Sequence, residues 1–151
     1  MKRVLAVALV LCLIVLLSGC GNAPKSRDLQ EIWQGMLKAD MLPEMVAVPH
    51  DLALDFYGIE PEWYEEALFM VASDSLLADE VVMVRARDDD AAGQIHRMLE
   101  SRMDAKAAEA RTYSPEQYAV ISRGHVLKNG RELALLVSPK ADTLLEIYQG
   151  E

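Results

Sequence analysis

The chain has 151 residues, 52% of them hydrophobic, and a formal net charge of −9 from 15 basic and 24 acidic residues. That length suffices for one domain that buries a core without disulfide or metal staples. The acid excess disfavours nucleic acid and other polyanions and favours cations or basic partners, although a merely solubilising acidic surface is the plainer reading.

Lys2 and Arg3 precede 14 unbroken apolar residues, Val4 to Leu17, and the small pair Ser18-Gly19 then leads to Cys20. This is the pattern of an export signal closed by a lipobox, so residues 1–19 are read as a lipoprotein signal peptide and Cys20 as the lipidated mature N-terminus. As a helix, 14 residues rise only about 21 Å against a hydrocarbon core of roughly 30 Å, which disfavours a membrane span. Cleavage leaves 132 residues with a net charge of −11, from 13 basic and 24 acidic side chains. Cys12 departs with the signal and Cys20 carries lipid, so the folded part has no thiol for a disulfide, a thiolate metal site or a nucleophile. Residues 20–27 form a short tether, whose seven residues Gly21 to Arg27 span at most about 25 Å. Two or more acyl chains such as palmitate on Cys20 are expected to hold the protein on the outer face of the cell membrane. Lys25 and Arg27 are expected to reach anionic headgroups, at about 1 kcal/mol each.

Residues 28–151 read as a single domain. Ser26 is the expected N-cap of a first helix carrying Leu29, Ile32, Trp33, Met36 and Leu37 at helical spacing. Met41 to Pro49 reads as an apolar loop, and Asp51 to Tyr57 as a short helix stopped by Gly58. Pro61 opens a turn with Trp63 and Tyr64. Ala67–Ala72 and Val81–Arg87 are predicted strands. Asp88 to Asp90 start a long helix with the stripe Ala92, Ile95, Leu99, Met103 and Ala110. Pro115 to Ile121 is a short helix, and His125–Lys128 and Glu132–Val137 form a hairpin around Asn129-Gly130. Ser138-Pro139 caps a closing helix with Leu144, Leu145 and Tyr148.

The order α-β-β-α-β-β-α predicts an α+β fold with a four-stranded, mainly antiparallel sheet. Ala67–Ala72 and Leu133–Val137, apolar throughout, are the expected central pair. The alternating Val81–Arg87 and the polar His125 strand are the expected edges. Helices on one face would leave the other to be covered by the N-terminal helix, a loop or a partner.

The stretch Asp55-Phe56-Tyr57-Gly58-Ile59-Glu60, followed by Ala78-Asp79-Glu80-Val81-Val82-Met83-Val84-Arg85-Ala86-Arg87-Asp88, resembles an uncharacterised domain family of lipoproteins from clostridial-type Gram-positive bacteria. An arginine on the following long helix (here Arg102), the element Pro115 to Tyr118, a Gly turn and an apolar strand ending in Val-Ser complete the likeness over residues 28–148. The resemblance implies an exported, membrane-anchored α+β domain of unknown function and no stated activity.

The residues offer little chemistry. His50, His96 and His125 fall on separate elements without ligand spacing, so no metal or other cofactor is assigned. No nucleophile elbow, phosphate loop or dinucleotide fingerprint is present, so no catalytic residue is assigned. Glu65 with Asp79 is one of many possible glycosidase carboxylate pairs. Asp88-Asp89-Asp90 lacks the EF-hand spacing and reads as a helix cap. Tyr57, Trp63 and Tyr64, and Met36, Met41, Met45 and Met70, read as core before they read as a sugar platform or a groove. The expected function is a binding module for an envelope partner, or a homodimer through the sheet face. The alternative is an accessory factor or small hydrolase in cell-envelope glycan modification.

Overall fold

The computed structural model describes residues 27–151. The signal segment 1–19, Cys20 and the tether as far as Ser26 lie outside the described residues. Helix α1 (Leu29–Lys38) is capped by Asp28 and not by the expected Ser26: the Asp28 carboxylate accepts the Gln30 and Glu31 amides at 2.7 and 3.2 Å. Strand β1 (Met45–Ala47) leads through a 3₁₀ turn at His50–Leu52 into α2 (Ala53–Tyr57). Gly58 ends α2 at φ +68°, and a second 3₁₀ turn at Pro61–Trp63 precedes β2 (Tyr64–Ala72). Strand β3 (Glu80–Ala86) is followed by the 25-residue α3 (Asp89–Tyr113), then α4 (Pro115–Ile121). The hairpin β4 (His125–Asn129) and β5 (Glu132–Val137) and helix α5 (Ala141–Gln149) complete the chain.

The sheet has five strands, ordered β1-β2-β3-β5-β4 with every pair antiparallel. The expected four-stranded sheet is thus corrected in two respects. Met45–Ala47, read as loop, pairs with Met70–Ala72 as a short edge. The expected edge Val81–Arg87 is the centre, flanked by β2 and β5. Its polar Arg85 misled the reading. The register places Arg85 directly between Glu66 and Glu132 on the two neighbouring strands, and it forms ion pairs with both. An arginine can occupy a central strand where both flanking strands supply a carboxylate beside it.

Alternation along β3 serves two cores. Val82, Val84 and Ala86 pack with Phe69, Leu133, Leu135, Val137 and the α3 stripe Ala92, Ile95 and Leu99. Val81 and Met83 pack with Ala134, Leu136, Leu29, Ile32, Trp33, Met36 and Leu144, so α1 and α5 cover the second face. The homodimer expected through an open sheet face therefore finds the two central strands covered on both sides by the chain's own helices.

Arg27 joins this cover. Its guanidinium donates to the carbonyls of Ile147 and Tyr148 at 3.0 Å each in the last turn of α5, where the Ile147 carbonyl also accepts the Gly150 amide at 3.2 Å. The Arg27 carbonyl in turn accepts from Arg85. This exposed arginine is thus tied to the domain by its hydrogen bonds.

Two glycines are dictated by geometry. A Cβ on Gly58 would sit 3.0 Å from Met98 Sδ at a positive φ, and one on Gly124 would sit 2.8 Å from Met103 Cε and 2.9 Å from the Leu136 carbonyl. Gly58→Ala is expected to cost about 1–2 kcal/mol in urea unfolding from its left-handed backbone. Gly124→Ala is expected to cost at least as much, because its nearest backbone neighbour cannot yield. Wild-type midpoints for both variants would contradict this packing.

Candidate functional site

The most unusual group is the carboxylate of Glu80, fully buried at 0% exposure at the head of the central strand. A buried carboxylate must be paired and hydrogen-bonded. Arg102, projecting from the middle of α3, meets it through Nε and Nη2 at 3.1 Å each, the two-pronged geometry of a guanidinium. One turn on, Lys106 pairs with the second oxygen and also donates to the Ala78 carbonyl at 2.9 Å. The Ala78 amide donates to Gln117 Oε1 of α4 at 2.8 Å, so both polar groups of this residue are fixed from two helices. The Arg102 guanidinium lies 5.5 Å from the Tyr57 ring centroid, and that ring stacks on Phe69 at 5.0 Å.

Two buried polar atoms at this end have no hydrogen-bond partner among the described residues: Tyr57 OH and Asp79 Oδ1. Burial first, then the nearby Glu80 charge, pushes the Tyr57 pKa well above the ordinary phenol range. Burial also raises the Asp79 pKa above its usual 3.8, against the opposing pulls of the Ser138 hydroxyl, a backbone amide and the Lys106 charge. For both groups burial favours the neutral form. The arrangement is a buried electrostatic knot, with geometry suited to holding elements together.

The sequence-nominated residues are dispersed. His50 Nδ1 lies 3.1 Å from Tyr64 OH, His125 Nε2 lies 2.8 Å from Asp142, and His96 lies 3.5 Å from Glu100. Among the described residues no group of three or more His, Cys, Asp or Glu side chains is placed to hold a metal ion. Glu65 pairs with Arg131 at one end of the sheet, while Asp79 is buried at the other, so they do not converge. Asp88 caps α3 through the Ala91 amide at 2.8 Å. Tyr57 and Tyr64 are core, whereas the neighbouring Phe56 is exposed. Met36, Met45 and Met70 pack in the α1-side core, and Met41 is exposed. A shallow open groove is lined by Glu100, Met103, Asp104, Gly124 and Val126.

Residues 39–84 hold 11 acidic residues and no lysine or arginine, and this acidity is partly answered within the fold. Glu65, Glu66 and Glu80 pair with Arg131, Arg85 and the Arg102–Lys106 pair. Sequence reasoning singled out Tyr57, Gly58, the acid-led strand, Arg102 and Pro115–Tyr118 as motif elements but did not join them. The spacing of Arg102 and Lys106, i and i+4 on one helix, was the available signal that two cations face one spot.

The fold and this knot define an α+β domain with one antiparallel sheet between two helical layers and a buried acid–base cluster at one sheet end. Residues 38–138 match the family model described as Domain of unknown function (DUF4358), and the chain belongs to that family. No curated protein and no solved structure matches the chain. Among the described residues no helix is long and apolar enough to cross a membrane.

The knot makes two stability predictions. Arg102→Ala is expected to cost about 3–5 kcal/mol in urea unfolding, because it strands part of a buried charge. Glu80→Met combined with Arg102→Met and Lys106→Met is expected to recover most of that loss. A triple variant no more stable than Arg102→Ala would contradict it. For Asp79, a folded-state pKa above the unfolded value means that the folded state holds its proton more tightly. Stability from this group is therefore lost as pH rises from below 3.8 through the folded value. Asp79→Asn is expected to be more stable than wild type at pH 7, with the gain shrinking as pH falls toward 4. A pH-independent difference would contradict the assignment.

Proposed function

We propose that this chain is a membrane-anchored lipoprotein, exported and held to the outer face of the cell membrane through lipidated Cys20, and that it serves as an interaction module for a protein partner in the envelope. The observation that carries this reading is the opposition of the two ends of the sheet. Arg27, where the leash joins the domain, bonds to Arg85 near the end of β3. Glu80 starts the same strand about 17 Å away, at roughly 3.3 Å per residue. Beyond Glu80 lie the β2–β3 loop, with Leu76 79% exposed and Leu77 beside it, and the last turns of α3 with Tyr113 83% exposed.

Leu76 and Leu77 set two adjacent large apolar side chains at a loop tip, and an apolar surface rimmed by polar residues is the kind a partner covers. The acids around the loop, Glu44, Asp74 and Glu116, are exposed, which fits a partner with basic residues around an apolar pocket. The knot supports this use, because Lys106 and Gln117 hold Ala78 at the base of the loop. The leash at one end and the apolar tip at the other make a module presented away from its own anchor. The carboxylates nominated for glycan hydrolysis do not converge, so no specific observation favours that alternative.

Two measurements test the reading in the full chain. Mass spectrometry of the membrane fraction is expected to find acylated Cys20, and Cys20→Ala is expected to shift the protein to the soluble fraction. A photo-crosslinker at Leu76 of the anchored protein is expected to give a discrete protein adduct, and one at Leu54 on the exposed side of α2 is expected to give none. Unmodified Cys20, or equal labelling from the two positions, would overturn it.

A further inference from the structure

We propose that the free edge of β4 is a homodimer interface, in which two copies pair β4 with β4 antiparallel about Leu127 and join their sheets into one of ten strands. The proposal stands on the opposite sheet margin from β1 and does not depend on the loop tip acting as a docking surface.

The two margins of the sheet are managed differently. Strand β1 has three residues and lies between Pro43 and Pro49, the short, proline-bracketed form that resists pairing with another chain. Strand β4 has five residues, His125–Asn129, with neither proline nor a recorded break in register against β5. Its turn is not built on the expected Asn129-Gly130. Asn129 pairs with Glu132, which leaves Gly130-Arg131 as the two-residue loop, with Gly130 at φ +58°. In such a hairpin the closing pair exchanges hydrogen bonds, so alternation turns the N–H and C=O of Val126 and Lys128 to the open edge.

That edge is shaped for its own sequence. Val126 packs with the α3-side core and Leu127 with the opposite core, so Lys128 shares the α3 face with Val126. Antiparallel pairing about Leu127 overlaps all five residues and sets Val126 opposite Lys128 of the second copy, with two N–H···O bonds per pair. Beside Val126 lies the open groove walled by Glu100 and Asp104. No lysine or arginine lines the groove, and Glu100 has only His96 at 3.5 Å as an ion-pair partner among the described residues. Lys128 of each copy thus enters a space walled by two carboxylates of the other. Half-buried Leu127 meets itself on the far face. A register that set Lys128 against Lys128 would oppose like charges and lose this match.

Each full chain carries net charge −9, or −11 once cleaved before Cys20, but the Debye length of about 8 Å at physiological ionic strength screens repulsion between molecular centres more than the local pairs. A five-residue edge belongs to the small, weak class of interfaces. Confinement of both copies to one surface, as the lipoprotein reading implies, would raise their effective concentration.

Cysteine cross-linking in the full-length, membrane-associated chain tests the pairing, with the parent chain (Cys12 and Cys20 only) as blank. Leu127→Cys is expected to give a disulfide-linked species of double mass on mild oxidation, because residues in that pairing lie with Cα atoms about 4.5 Å apart, within disulfide reach. Val46→Cys on the β1 edge is expected to remain uncrosslinked. Adding Lys128→Glu to Leu127→Cys is expected to cut the linked fraction about tenfold, and adding Glu100→Lys and Asp104→Lys to that variant is expected to restore it. Equal linking at Val46→Cys and Leu127→Cys, indifference to Lys128→Glu, or a Leu127→Cys adduct of any mass other than the dimer would overturn the proposal.

Discussion

The carboxylate of Glu80 is the constraint around which the rest is arranged. It heads the central strand, has no access to water, and is answered by two cations from successive turns of one helix. Desolvating such a group is costly, and a pair in this setting adds less to net stability than its Coulomb attraction suggests. Its structural effect is in position. An apolar sheet face and an apolar helix stripe could slide past one another with little loss, but a fixed carboxylate against Arg102 and Lys106 admits one rotation and one shift of α3. Through Lys106 and Ala78 the same node sets the base of the β2–β3 loop, and through Arg102 it holds the ring of Tyr57 against Phe69.

The family match gives this node a wider setting. Residues 38–138 begin at the last residue of α1 and end just after β5, so the matched segment contains the sheet, the knot and the α3 layer. The two helices that cover the second face, α1 and α5, lie almost wholly outside it. In this chain they are locked to each other and to the sheet by Arg27, which spans from the end of α5 to Arg85. The covering layer and Arg27, just before α1, are therefore one assembly. Arg27 lies at the Arg85 end of β3, and the exposed apolar β2–β3 loop precedes the Glu80 end.

Much of the fold was legible because its elements obey simple periodicities. Pro115–Ile121 and Glu132–Val137 fall where the sequence placed them, and Gly58 and the Asp88 cap do what their residue types demand. The errors in the sheet share one cause, which is that neighbours decide strand roles. Arg85 reads as an edge residue until the register sets Glu66 and Glu132 beside it. Met45–Ala47 is too short to signal a strand, and only its pairing with Met70–Ala72 makes it one. The site was legible in parts. Tyr57, Glu80 and Arg102 stood in separate motifs, and only the folded chain brings them together across 22 residues from strand to helix.

The central claim is that the Glu80 node locks α3 and the β2–β3 loop to the sheet. Amide hydrogen exchange on the full chain, comparing wild type with Glu80→Gln, tests it most directly. The account predicts lost protection at Ala78 and along α3 from about Arg102 onward, with protection of the β4–β5 hairpin unchanged. Uniform loss over the whole domain, or wild-type protection at Ala78, would contradict it.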